Sequence, residues 1–220
     1  MKLSFCTSVK KEGIFMNEYQ ELIDLLNSKR FHAEFFEDTG SAKKRIMELI
    51  SDADSIGIGG SQTIKESGLF DEIAATGKTI YSQTLERKKE KPDNMAVWRS
   101  AMGADVYLTS TNALTREGDL INIDGNGNRV AAMFFGPDKV IVLCGINKVS
   151  KGPHDAIARI KKTACPRNAK RLGLPTPCAT EGVCRNCGLP ERMCKVTVRI
   201  QYPPNGKDIH ILLVNEVLGF

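Results

Sequence analysis

The sequence predicts an α/β protein, with a parallel or mixed sheet covered by helices on both faces and a small cysteine-rich C-terminal element carrying a β-hairpin. Three observations point there. Short apolar runs such as 140–144 alternate with helical stretches of ten or more residues, the arrangement of strands joined by crossover helices. A glycine turn, Gly57-Ile-Gly-Gly60, closes one of those runs and opens a helix. Composition then shifts abruptly: residues 164–194 hold five of the seven cysteines, four prolines and three glycines, with little periodic pattern.

The elements follow in order. Met16, Tyr19, Leu22, Ile23, Leu25 and Leu26 share one helical stripe. Residues 32–36 read as a short strand, and Ser41 as the N-cap of a helix with Ile46, Leu49 and Ile50 inward. Residues 54–60 form a buried strand ending in the glycine turn, 61–76 a helix, 78–82 a strand and 92–102 a helix with Pro92 near its start. Residues 105–109 suit a central strand, 113–122 a hairpin turning near Glu117-Gly118, and 140–144 another buried strand. Two extended runs, 195–202 and 208–217, close the chain as a hairpin through Pro203-Pro-Asn-Gly206. The expected organisation is an extension over 1–15, an α/β body over 16–163, and a cysteine-rich segment with its hairpin over 164–220.

Composition narrows the function. With 41% hydrophobic and 26% charged residues the chain is an ordinary globular one. It has no apolar run of membrane-spanning length and no secretory pattern at residues 1–13, so a cytoplasmic location is expected. Residues 148–172 contain eight Lys/Arg against the single acid Asp155, in a chain of net charge +5. Such a face attracts anionic ligands or acidic proteins, or is a solvated helix surface. No aromatic side chains interleave with the charges, so nucleic acid is not an expected partner.

The cysteines carry the sharpest chemical signal. Their spacing is Cys178-x5-Cys184-x2-Cys187-x6-Cys194, and clustering of this kind inside a reducing cell points to metal binding or redox work more than to disulfides. A Cys-x-x-Cys turn presents two thiolates with little strain, and loops containing Gly188 and Pro190 bring in the outer pair. Paired zinc knuckles need two such turns, and only one is present. The wider outer gaps suit an iron–sulfur cluster of the 4Fe–4S type, with zinc as the alternative. Cys165 is an extra ligand or a resolving thiol, and Cys144 a packed core residue.

Two polar segments suggest a ligand cleft. At the turn Gly59-Gly60-Ser61, backbone N–H groups at a strand-to-helix junction suit a phosphate or carboxylate, although a tight turn alone also explains the glycines. In residues 109–130, turn chemistry explains Asp124-Gly125-Asn126-Gly127. It leaves Asn112, Asn128 and Arg129, where a planar guanidinium among amides suits an anion.

These residues resemble the LUD (lactate-utilisation) domain family. The features are residues 57–68, Ser110-Thr-Asn-Ala113 followed by Glu117-Gly-Asp-Leu120, and the apolar strand 139–145 leading into Asn147-Lys148. The resemblance covers residues 16–160, and the cysteine segment looks like the tail of a subset of these proteins. It implies a fold similar to ribose phosphate isomerase and coenzyme A transferases, with a cleft lined by Gly59, Gly60, Ser61, Asn112, Glu117, Asn128 and Arg129. The function implied is a redox accessory or subunit in oxidation of lactate or a similar small organic acid. One alternative is a transferase or isomerase on a phosphorylated or coenzyme A thioester substrate, with Glu117 as the residue to test. Another is a non-enzymatic assembly module docking through residues 148–172. The partners expected are a small anionic ligand, redox proteins and, as an option, further copies of the chain.

Overall fold

A computed structural model describes residues 19–220. The expected extension, Cys6 and the Met16 end of the first helix lie outside the described residues. Helix α1 (residues 19–28) turns Tyr19, Leu22, Ile23 and Leu26 inward, as a 3.6-residue period requires. There follow β1 (His32–Phe36), α2 (Thr39–Leu49), β2 (Ser55–Ile58), α3 (Gln62–Glu66), α4 (Leu69–Ala74), β3 (Thr79–Ser82), α5 (Gln83–Glu86) and α6 (Asn94–Met102). The chain continues through β4 (Val106–Thr109), β5 (Ala113–Thr115), β6 (Leu120–Asp124), α7 (Asn128–Phe134), β7 (Lys139–Gly145), β8 (Val149–Ser150) and α8 (Pro153–Arg159). A π turn (Ile160–Ala164) joins α8 to α9 (Cys165–Arg171), and α10 (Pro177–Glu181), β9 (Val196–Ile200) and β10 (Asp208–Val214) complete it.

Six strands form one parallel sheet in the order β1-β10-β7-β4-β2-β3. Successive side chains of a strand point to opposite faces, and both faces here are buried. Val140, Val142, Ile209, Ile211 and Leu213 pack with α1 and α7 on one side. Ile141, Leu143, Leu212 and Val214 pack with α2, α3 and α4 on the other. A second sheet, β8-β5-β6-β9, shares the first core through Leu114, Leu120 and Ile200. Its other face packs Ala113, Ile121 and Ile123 on Ala156, Ile160, Ala164 and Cys165. The expected α/β architecture with helices on both faces is present. Among the described residues no helix is long and apolar enough to cross a membrane.

Several local expectations are corrected. The terminal strands do not form a hairpin with each other: β9 pairs with β6, and β10 lies between β1 and β7. The Asn205-Gly206 turn does form, with Lys207 N–H donating to Pro204 O at 3.1 Å, but it passes the chain from one sheet to the other. The reason is burial. Every residue of Ile209–Val214 is apolar or buried and needs cover on two faces, whereas β9 buries only Ile200 and suits an edge. Residues 208–214 therefore belong to the large sheet. The N-cap of α2 is Asp38, whose carboxylate accepts from Ser41 N–H at 2.8 Å. The helix expected over 61–76 breaks at Gly68, where φ is +72°, into α3 and α4. Asn128 and Arg129, expected beside apolar strand runs, instead open the helix α7. The hairpin at 113–122 is present, with Ala113 opposite Ile121 and Gly118 in the left-handed region at φ +75°.

Candidate functional site

The C-terminal ends of β2, β4 and β7 converge on one cleft, where open parallel sheets place their ligands. From β2 come Gly60 and Ser61, from β4 Ser110 to Asn112, and from the turn after β7 Lys148. Helix α9 and residues 191–195 form the opposing wall, and the space between is about 320 Å³.

Lys148 is the residue that sequence reasoning misplaced. It was counted within a solvated basic face, but only 2% of it is exposed. Its Nζ donates to Thr63 Oγ1 at 2.6 Å and to Ser110 Oγ at 2.9 Å. Both hydroxyls pass their own protons to main-chain carbonyls, Ser110 to Leu143 O at 2.5 Å and Thr63 to Leu218 O at 3.3 Å. They can therefore only accept from the amine. Among the described residues no carboxylate lies within ion-pair distance of Lys148, and burial pushes its ammonium down to about 8. The third position on Nζ has no protein partner among the described residues, and Lys148 lines the cleft. Its signal in the sequence was the Asn147-Lys148 pair directly after the apolar strand.

Arg129 has the opposite fate. Its Nε pairs with Asp124 at 3.3 Å. Nη1 donates to Asn122 Oδ1 at 2.8 Å and Ser110 O at 3.1 Å, while Nη2 donates to Asn112 Oδ1 at 3.1 Å and Ile123 O at 3.3 Å. The four terminal N–H groups thus meet four acceptors inside the protein, and the Asp124 carboxylate adds an ion pair. Arg129 and Asn112 both line the cleft, as expected, and the Arg129 guanidinium and Asn112 Oδ1 also tie its floor together. Asn112 Oδ1 also accepts from Ile123 N–H at 2.9 Å. Fully buried Asn122, which sequence reasoning passed over, takes Asn112 N–H at 2.9 Å and donates to Thr111 Oγ1 at 3.1 Å. Arg159 locks the same region from α8 by donating to Asn147 O and Asn112 O, each at 2.8 Å.

The remaining expected residues divide. Gly60, Ser61 and Asn128 line the cleft. Gly59 does not: a Cβ there would stand 2.8 Å from the Tyr107 hydroxyl and 2.9 Å from Thr109 Oγ1, so its glycine serves packing of β2 against β4. Ser61 caps α3 by accepting from Ile64 N–H at 3.3 Å, but α3 has only five residues and a correspondingly small dipole. Glu117 sits on the β5–β6 turn, more than half exposed, with its carboxylate 3.6 Å from Arg199 and outside the cleft lining.

The electrostatics of the mouth are cationic. Arg87, Arg171, Arg192 and Lys195 line it, and among the described residues none of them pairs with a carboxylate. Burial, and then the charge of Arg87, both push the Arg171 guanidinium down. Asp124, paired with Arg129, and the exposed Glu191 also line the cleft, so its four unpaired cations outnumber the acids and favour an anion there.

The cysteine segment adjoins this cleft. Cys165, on α9, is buried and lines the cleft, whereas Cys178, Cys184, Cys187 and Cys194 are half-exposed free thiols. Burial, followed by the influence of Cys194, Cys184 and Cys178, pushes the Cys165 thiol up to about 12. Arg192 Nη2 donates to Cys194 Sγ at 3.3 Å. Among the described residues no three Cys, His, Asp or Glu side chains stand close enough to share one metal ion.

Comparison with known proteins adds the following. A family model described as the LUD domain matches residues 19–214. No curated protein matches. Among solved structures, the chain is similar to a DUF162 family protein from Deinococcus radiodurans, with a TM-score of 0.55 and 11% identity over 91% of this chain and 98% of that one.

Proposed function

The chain belongs to the LUD domain family, and from that premise we propose that it serves as an accessory or subunit in the oxidation of lactate or a similar small organic acid. The cleft above β2, β4 and β7 is the seat of the acid's anion. The observation that carries this reading is Lys148: a buried amine held by two hydroxyls, with one valence without a protein partner among the described residues, in a residue that lines the cleft. As an ammonium it donates that N–H to a carboxylate oxygen in a water-poor site, where a charge-assisted hydrogen bond is strong. Arg87 and Arg171 at the mouth attract the anion and offset its charge. Arg129, Asn112 and Asn122 hold the floor rigid, so the ammonium stays in place before the ligand arrives.

The redox half of the proposal rests on the cysteine segment, with Cys178, Cys184, Cys187 and Cys194 as ligands of an iron–sulfur cluster and zinc as the alternative. The donor chemistry suits either group, and Arg192 beside Cys194 would offset thiolate charge. The sulfurs are not gathered as they stand. Uptake requires residues 183–195, which contain no helix or strand, to rearrange. No step of anion binding runs through the cluster. The transferase reading loses ground because Glu117 lies outside the cleft, and the docking reading because Lys148 and Arg159 turn inward from the basic face.

Thermal unfolding of the full chain with lactate, pyruvate, phosphate and chloride at constant ionic strength tests the anion site. The organic acids are expected to raise the Tm in a concentration-dependent way beyond chloride. Equal curves for all four salts would remove the proposal's basis. Anaerobic purification with iron, sulfide and zinc analysis tests the cysteine half separately.

A further inference from the structure

We infer that Lys148 does more than attract charge: its Nζ forms an imine with the carbonyl carbon of a 2-oxo acid held in the cleft. The inference rests on the reading that this cleft takes a small organic anion, and it names the substrate class and the bond. A 2-oxo acid is what oxidation of a 2-hydroxy acid leaves behind.

The geometry argues it as follows. Nζ is tetrahedral, with one position taken by its own side-chain carbon. Thr63 Oγ1 at 2.6 Å and Ser110 Oγ at 2.9 Å take two more, and both oxygens can only accept because their protons go to Leu218 O and Leu143 O. Two N–H bonds are therefore fixed in either protonation state, and the last position holds an N–H when the amine is charged and the lone pair when it is neutral. That position belongs to a residue lining the cleft. The amine is thus held in place beside the cleft, and its lone pair has no competing donor among the described residues. A buried lysine lacking a carboxylate partner is also one whose neutral form is accessible near neutral pH, the usual condition for imine chemistry.

Arg87 and Arg171, which pair with no carboxylate among the described residues, supply counter-charge for the acid's carboxylate. The neutral amine adds its electron pair to the carbonyl carbon, and the carbonyl π electrons move to oxygen. The nitrogen loses a proton to solvent and the oxygen gains one, giving a carbinolamine. Expulsion of that hydroxyl, protonated by solvent, releases water and leaves a protonated imine. In balance, one carbonyl, one amine and one proton give one iminium and one water, with no oxidant or reductant required.

The test uses the full chain with pyruvate and sodium cyanoborohydride, followed by intact mass and peptide mapping, with pyruvate binding measured by calorimetry in parallel. The expected result is a single adduct equal to pyruvic acid plus two hydrogens minus one water, located on Lys148, with none when lactate replaces pyruvate. Lys148→Arg keeps the charge and is expected to bind pyruvate but lose the adduct. Calorimetric binding without an adduct, or an adduct on another lysine, overturns the imine and leaves the anion site standing. Absence of both binding and adduct overturns the two together.

Discussion

Asn122 and Arg129 meet at 2.8 Å beneath the cleft, joining β6 to the first turn of α7. That contact places a guanidinium where a ligand could have been expected and commits it to the protein. Arg129→Lys is expected to lower stability by about 1–3 kcal/mol, because an ammonium cannot fill four divergent acceptors and leaves buried ones unpaired. Chemical denaturation reads the change. A variant as stable as the parent would mean the network is dispensable.

Lys148 makes stability depend on pH with a definite sign. Its folded value is depressed to about 8 from 10.5, so the folded state sheds this proton before the unfolded chain does. Between those values the unfolded state binds more protons, and this lysine's contribution to stability rises with pH across that window. Below it, the burial penalty is present in full. Comparing the denaturation midpoints of the parent and Lys148→Met from pH 7 to 10 isolates the contribution. A difference between the two that stays flat over that range contradicts the burial argument.

The thiols should separate into two reactivity groups. Cys144, pushed up to about 11, and Cys165, pushed up to about 12, are buried and stay protonated at pH 8. Only the thiolate reacts readily, so brief alkylation with iodoacetamide is expected to label Cys178, Cys184, Cys187 and Cys194 while sparing the other two. Mass mapping checks this, and early labelling of Cys165 counts against its packing at the start of α9 against β5 and β6. In metal-loaded protein, Cys187→Ala is expected to lower the bound iron or zinc while the α/β body remains folded.

The position of β10 in the large sheet has a stability consequence. Leu212→Ala removes a fully buried side chain from the core between the large sheet and α2–α4 and is expected to cost about 2–5 kcal/mol. Val196→Ala, on the partly exposed edge strand, is expected to cost well under half of that. Similar costs at both sites would place the strands in equivalent environments and contradict the two-sheet arrangement.

The fold was legible where one element decides its own fate. The apolar run at 139–145 reads as a strand buried on both faces wherever it is found, and Gly118 marks a turn by its backbone alone. Residues 195–217 were misread because the Asn205-Gly206 turn is a local signal, whereas the partners of β9 and β10 are chosen by cores built from segments sixty or more residues away. The site shows the same division. Gly60 and Ser61 were reached from the strand-to-helix turn, and Asn128 as a residue that turn chemistry left unexplained. Arg129 was reached as a cleft residue, but its ties to Asp124, Asn122 and Ser110 were not, since spacing cannot say where a guanidinium's acceptors lie. Lys148 hid among seven other basic residues, because charge counts along a sequence carry no information on depth.

The most direct test of the central claim is titration calorimetry of pyruvate and lactate against the parent chain and Lys148→Met, at pH 7 and again at pH 9.5. An anion seat on Lys148 predicts measurable binding by the parent at pH 7, roughly 10- to 100-fold weaker binding by the variant, and weakening of the parent toward the variant for lactate at pH 9.5 as the ammonium is lost. Equal affinities of parent and variant at pH 7 would contradict it.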